Sequence, residues 1–125
     1  MMGCTRKEST NKGQPIIGRS LTRNVRCSPR KIRMVVNLIR DKRADEALTI
    51  LQFTQRPSAV PFVERALKAA IASARDVSGE PEKLIIGEAI VDDAPMMKRM
   101  RPASMGRAVR VRKRNSHIFL ALTQK

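Results

Sequence analysis

The period of the apolar positions changes along the chain, and each change marks an element. In "CSPRKIRMVVNLIRDK", Ile32, Val35, Val36 and Ile39 recur at i, i+3, i+4 and i+7, the spacing of one buried helix stripe. Ser28 is a natural N-cap and Pro29 suits the first helical position, so the pattern predicts a helix to about Arg40, with Arg30, Arg33, Asn37 and Arg40 on another side. "ADEALTILQF" predicts a second helix over residues 44–53, with Asp45 and Glu46 in the first turn, where the helix dipole favours acids, and Ala47, Leu48 and Leu51 on one face. Pro57 stops it. Ser58 then caps a third helix whose stripe is Val63, Ala66, Leu67, Ala70, Ile71 and Ala74, ending near Val77 because Gly79 and Pro81 follow. Five alanines between residues 66 and 74 predict a close approach to whatever that helix packs against.

Elsewhere the pattern is extended. "LTRNVR" (21–26) alternates briefly and predicts a first strand, with Leu21 and Val25 apolar and Arg23 and Arg26 polar. From Leu84, "LIIGEAIVDD" is short and β-branched, with Gly87 marking a bulge or a close contact. In "GRAVRVRKRNSHIFLAL" (106–122), Val109 and Val111 point one way and Arg110, Arg112 and Arg114 the other. After Asn115 the apolar phase passes to Ile118, Leu120 and Leu122, as in a strand that leaves one environment and enters another. Pairing Ile118–Leu122 with Leu84–Val91 as core sheet makes the intervening arms an antiparallel hairpin over about residues 88–117, its far end "APMMKRMRPASMGRA". About ten residues per arm at ~3.3 Å each reach roughly 30 Å, against a radius of gyration of ~13 Å for a 100-residue domain. The expected fold class is therefore α+β: three helices packed on a small antiparallel sheet with a long protruding β-hairpin. It forms one domain over residues 21–125, preceded by a basic flexible tail over residues 1–20.

Charge changes the picture most. Twenty-six Lys and Arg against eleven Asp and Glu leave +15 on 125 residues. Residues 1–33 hold nine bases and one acid, residues 34–95 eight bases and ten acids, and residues 96–125 nine bases and no acid. This is a near-neutral body with cationic attachments, since an ordinary solvated surface intersperses both signs. A bare two-stranded ribbon is marginal in water, and one with eight like charges over residues 96–114 is worse. Its order must come from a partner carrying negative charge along its length. RNA fits, because arginines at every second position match successive phosphates and a guanidinium binds phosphate bidentately or stacks on a base. With no Trp or Tyr, and only Phe53, Phe62 and Phe119, the composition argues against an RRM or OB-fold stacking platform and leaves backbone and shape recognition.

Two features stay open. Arg30 and Lys31 in the first helix's first turn oppose its dipole. They either converge on a phosphate seated at the helix end or are plain surface decoration. Met96, Met97, Met100 and Met105 are either flexible groups filling gaps between nucleotides or neutral fillers.

Enzymatic chemistry has little to work with. Cys4, Cys27 and the single His117 make neither a zinc site nor a CxxC motif, so no metal or cofactor is expected. Asp92 and Asp93 point to opposite faces of a strand, and no Ser or Cys sits in an interpretable nucleophile motif. The absence of a secretory segment and of an apolar run near ~20 residues predicts a cytosolic protein with no membrane partner. Residues 1–20, with Arg6, Lys7, Lys12 and Arg19 against Glu8, read as a disordered basic tail or as a transit peptide. The alternative function is a free-standing, DNA-architectural protein with a basic β-arm.

Four stretches together, "SPRKIRMVVNLIR" (28–40), "ADEAL" (44–48), "AIVDDAPMMKRMRP" (89–102) and "GRAVRVRKRNSHI" (106–118), resemble the family of bacterial-type ribosomal large-subunit protein twenty-two. The resemblance runs from about Val25 to the C-terminus. It implies a structural constituent of the ribosome, cytoplasmic before organellar with the host left open between a bacterium and an organelle, with its body near the polypeptide exit and its hairpin running inward through large-subunit rRNA. It also implies a role in subunit assembly. The implied partners are large-subunit rRNA, neighbouring ribosomal proteins and the nascent polypeptide, the protein being a monomer within the ribosome. Met97, Lys98, Arg99, Met100 and Arg101 would be tunnel-lining tip residues. Lys98, Arg99, Arg101, Arg107, Arg110, Arg112, Lys113 and Arg114 would contact rRNA along the hairpin, with Ser116 and His117 near its base. Arg26, Arg30, Lys31 and Arg33 complete the candidate rRNA contacts. Ala103, Ser104 and Met105 stand where the family commonly has basic residues, and Ala72-Ser73-Ala74 where it has Ala-Asn-Ala, so contacts at those positions are not carried over.

Overall fold

The helix stripes read from the sequence are buried where their period predicts, except that Leu48 of the second helix is only partly buried. The computed structural model describes residues 15–78 and 84–124. In chain order the elements are β1 (Ile16–Val25), α1 (Pro29–Ile39), α2 (Ala44–Phe53), α3 (Val60–Ser78), β2 (Leu84–Pro102) and β3 (Ala108–Gln124). Ile32, Val35, Val36 and Ile39 of α1 join Leu51 of α2 and Val63, Leu67, Ala70 and Ala74 of α3 in one core cluster. Ser28 occupies the N-cap of α1 without a side-chain bond, and its carbonyl accepts the Ile32 N–H at 3.2 Å.

The three strands form one antiparallel sheet in the order β1-β3-β2. Ser116, Ile118, Leu120 and Leu122 of β3 share a face and are fully buried. Ile118 pairs with Val91 and Leu122 with Ile86, which is the predicted core sheet. A register shift between Ile86 and Glu88 puts a bulge at Gly87, where an added Cβ would lie 2.8 Å from the Thr123 methyl.

β1 corrects the sequence reading. It begins at Ile16, so Ile16–Ser20, assigned to the tail on composition, are strand; residues 1–14, including Cys4, lie outside the described residues. The strand escaped notice because its inward positions Gly18 and Ser20 are small. Gly18 is small because α3 comes close: a Cβ there would lie 2.6 Å from both the Ala70 carbonyl oxygen and the Ala74 Cβ. The predicted alanine approach of α3 is therefore made against β1. A register shift between Thr22 and Val25, with Asn24 at φ 55°, reverses the phase. Leu21 and Val25, in phase in the sequence, end on opposite faces, 52% and 4% exposed.

β2 is an edge strand, and α1 covers its outer backbone. Arg33 donates from Nε and Nη2 to the Val91 carbonyl at 3.2 and 3.0 Å, and Arg40 donates from Nη2 to the Ala89 carbonyl at 2.8 Å. The linker after α1 continues the cover, with the Ile86 N–H donating to the Lys42 carbonyl at 3.0 Å. Unpaired edge groups invite strand addition, so this cover guards the body of the sheet. Past Asp93 the strand leaves the helices behind.

Candidate nucleic-acid interface

The third strand ends where the ribbon begins. The last β1–β3 pair is Val25–Ser116, whereas β2 and β3 stay paired out to Pro102–Ala108. Nine positions of β2, Ala94 to Pro102, therefore run on a two-stranded ribbon, about 30 Å at ~3.3 Å per residue. Residues 98–110 are all exposed. The chain reverses at residues 103–107, where Met105 (φ 59°) and Gly106 (φ 66°) take left-handed conformations. A glycine suits that geometry, and a methionine there carries strain. The Ala103 N–H donates to the Arg107 carbonyl at 2.8 Å and closes the loop. The far end is thus Ser104, Met105 and Gly106, not Met97–Arg101, which lie along the outgoing strand, with Met97 near the ribbon's base.

Register decides how the cations meet. Arg99 faces Val111, Arg101 faces Val109, Met100 faces Arg110 and Met97 faces Lys113, so each of these cations has an apolar residue directly opposite. Lys98 and Arg112 are the head-on pair, the arrangement that costs energy across strands. Alternation puts Lys98, Met100, Arg110, Arg112 and Arg114 on one face and Met97, Arg99, Arg101 and Lys113 on the other. Both faces are cationic, and no acid follows Asp93 in the chain.

At the base, the predicted site residues divide. Arg26, just past β1, comes together with Met97, Arg99, Lys113, Arg114 and Asn115 around a cavity of about 330 Å³. A second cavity of similar size gathers Lys98, Arg99, Met100 and Arg110 further out. Arg30 and Lys31 are exposed on the first turn of α1, which holds no acid. Four are engaged within the protein, among them Arg99, which donates from Nη1 to the Lys98 carbonyl at 3.0 Å and from Nη2 to the Met97 sulfur at 3.8 Å. Arg33 is committed to Val91 and lies 3.5 Å from an Asp93 oxygen. Ser116 is fully buried and its Oγ donates to the Cys27 carbonyl at 3.1 Å, so the hydroxyl faces the body and not a partner. His117 is half-buried, and its Nδ1 accepts the Asn24 N–H at 3.1 Å, so that nitrogen is engaged within the protein. Cys27 is a buried free thiol.

Asn115 is the functional residue that sequence reasoning missed. It is 8% exposed, and its Nδ2 donates to the Pro95 carbonyl at 2.9 Å. A polar residue sitting where the apolar phase of β3 switches was the available signal. Arg40 was missed as an edge cap because nothing in its own helix shows which strand lies beside it.

A small three-helix, three-strand α+β body with a cationic β-arm is the class that fold and site define. Residues 20–123 match the family Ribosomal protein L22p/L17e, and the chain belongs to that family. It is 48% identical over 108 residues to the large ribosomal subunit protein uL22 of Thermoanaerobacter sp. (strain X514) and to that of Thermoanaerobacter pseudethanolicus, spanning 86% of this chain and 96% of each relative. The uL22 of Oceanobacillus iheyensis is 45% identical over 108 residues, 86% of this chain and 95% of its own. The family is one of ribosomal proteins and not of enzymes, which removes the ground for a free-standing DNA binder.

Proposed function

We propose that this chain is an rRNA-binding structural constituent of the large ribosomal subunit in the cytoplasm, with neighbouring ribosomal proteins as further partners. It sits there as a monomer and as one domain that begins with β1. The body lies near the polypeptide exit, and the ribbon runs inward through rRNA until its outer part, from Lys98 to Arg101 and the turn at Met105, lines the nascent-chain tunnel. One observation carries this reading: a ribbon of about 30 Å whose eight cations have no acid beside them. Such a ribbon has no internal source of order, and phosphates on both of its faces supply one. Arg107, Arg110, Arg112, Lys113 and Arg114, with Lys98, Arg99 and Arg101, are the phosphate-facing groups; Arg26, Arg30 and Lys31 extend the surface onto the body. Gripping several RNA segments at once also fits a part in subunit assembly.

The test is Arg110→Glu combined with Arg112→Glu. Both residues are exposed or nearly so on the ribbon, far from the core, so the body still folds. The double variant is expected to be missing from purified large subunits in a sucrose gradient. Replacing the same two residues by Gln should lower the salt slope of rRNA binding by roughly 0.7–0.9 for each phosphate that is no longer neutralised. Wild-type occupancy of the charge-reversed variant in large subunits refutes the reading.

A further inference from the structure

We propose that the base of the ribbon is a seat for one unpaired RNA nucleotide, base included; the proposal rests on the rRNA-binding reading above and names what the ribbon grips there. The pairing Ala94–Asn115 is followed by Met97–Lys113, so Pro95 and Met96 of β2 oppose Arg114 alone. An extra residue in one strand bends it and re-aims its neighbours. This bulge is held by the protein itself: the buried Asn115 amide ties down the Pro95 carbonyl at 2.9 Å. The site is therefore shaped before any ligand arrives.

Its lining comes from β2, β3 and the residue that follows β1. Arg26 follows β1, Met97 and Arg99 belong to β2, and Lys113, Arg114 and Asn115 belong to β3. Four cations without an acid select a phosphate. A phosphate alone needs no cavity, however, and any neighbouring pair of ribbon cations binds one. What the base of the ribbon adds is a bulge and a buried amide beside the apolar wall: the cavity at Lys98, Arg99, Met100 and Arg110 has the same volume and a methionine of its own, but neither of those. The cavity of about 330 Å³ falls at the lower end of the ~300–1,000 Å³ of small-ligand sites. The Met97 thioether and the side chains of Arg99 and Arg114 supply a surface on which a base can lie, and guanidinium planes stack on bases. With Nδ2 of Asn115 spent on Pro95, its Oδ1 remains as an acceptor for a base amino or imino group.

A nucleotide stacked inside a helix presents its phosphates but not its base face, whereas an extruded one brings its base to Met97 and its phosphates to Arg26 and Lys113. The second cavity makes the contrast. Lys98, Arg99, Met100 and Arg110 line it where the two strands are in register, with no bulge and no buried polar group, which is a surface for backbone phosphates.

The experiment compares three labelled RNA hairpins binding to the full chain by fluorescence anisotropy at one salt concentration. One hairpin has a single-nucleotide bulge, one is fully paired, and one carries an abasic residue at the bulge. The wild type should prefer the bulged hairpin roughly tenfold over both others, the scale of one stacked base. Met97→Ser, a change on the ribbon that leaves every charge in place, should erase that preference while keeping the affinity for the paired hairpin. Arg26→Gln, which leaves the stacking wall intact, should weaken all three and keep the ratio. Equal binding of bulged and abasic hairpins shows a phosphate site only and overturns the proposal, as does a preference untouched by Met97→Ser. Failure to bind any of the three refutes the rRNA-binding reading itself, and this proposal with it.

Discussion

Gly18→Ala probes the closest helix–strand contact in the fold. The added Cβ would stand 2.6 Å from the Ala70 carbonyl oxygen, 2.6 Å from the Ala74 Cβ and 2.9 Å from the Ala74 nitrogen. Two of those atoms are backbone, so no rotamer change relieves them. Carbon contacts are comfortable only at ~3.5–4.0 Å, so α3 must shift away from β1 by about 1 Å. Overpacking of this kind costs about 1–3 kcal/mol. The alanine also restricts the unfolded chain, which offsets ~0.4–1 kcal/mol. A net loss of about 1–2 kcal/mol remains, and at ~4–8 °C per kcal/mol for a domain of this size the melting temperature should fall by roughly 5–15 °C. The assay is a far-UV circular dichroism melt of wild type and variant in one buffer. The same contact matters for function, because β1 delivers Asn24 to His117 and, just beyond its end, Arg26 to the ribbon's base. An unchanged or raised melting temperature would mean that α3 has slack over β1, and the explanation given for the glycine of that strand would be wrong.

Thr123→Val should stabilise. The hydroxyl of Thr123 is buried and has no hydrogen-bond partner among the described residues. Removing an unsatisfied buried hydroxyl gains about 1 kcal/mol, read as a higher melting temperature; a lower one would show that the hydroxyl is in use. Arg40→Ala and Arg33→Ala should each cost about 1 kcal/mol, because the Ala89 and Val91 carbonyls give up the bonds they accept. The Arg33–Asp93 contact adds little, since both side chains are at least half exposed. Hydrogen exchange of β2 amides reads the loss, and an Arg33→Ala variant that weakens RNA binding with unchanged exchange would return that residue to the interface.

How far the sequence could be read depended on where each answer lay. Helix stripes were readable because burial of Ile32, Val35, Val36 and Ile39 depends on spacing within one segment. The ribbon was readable for the same reason, as alternation and the loss of acids are local properties of β3. The start of β1 was not, since Gly18 faces a helix fifty residues away and only that helix explains its size. Arg33 shows the limit for function. Its charge and helix position match those of Arg30, yet one guanidinium caps a strand edge and the other is exposed. No property of a lone arginine separates these roles.

The ribbon's register shows what like charge can do for a fold besides oppose it. In the observed pairing Lys98–Arg112 is the one head-on cation pair between Met97 and Pro102. Sliding β3 by one residue so that Lys98 meets Lys113 also sets Arg99 against Arg112 and Arg101 against Arg110, three such pairs in place of one. The opposite slip sets Arg99 against Arg110 alone, so repulsion does not exclude it. It is excluded by the body, because a one-residue slip turns Ile118, Leu120 and Leu122 out of the core. Slips of two residues keep the faces and create two head-on pairs, Lys98–Arg114 with Arg99–Lys113 one way, or Lys98–Arg110 with Arg101–Arg107 the other. Repulsion therefore penalises every slip that the core alternation tolerates, and the valines and methionines placed opposite the arginines are the reason. A ribbon too charged to be stable alone is in this way still specific about how its two strands meet, and rRNA closing around it has one register to stabilise.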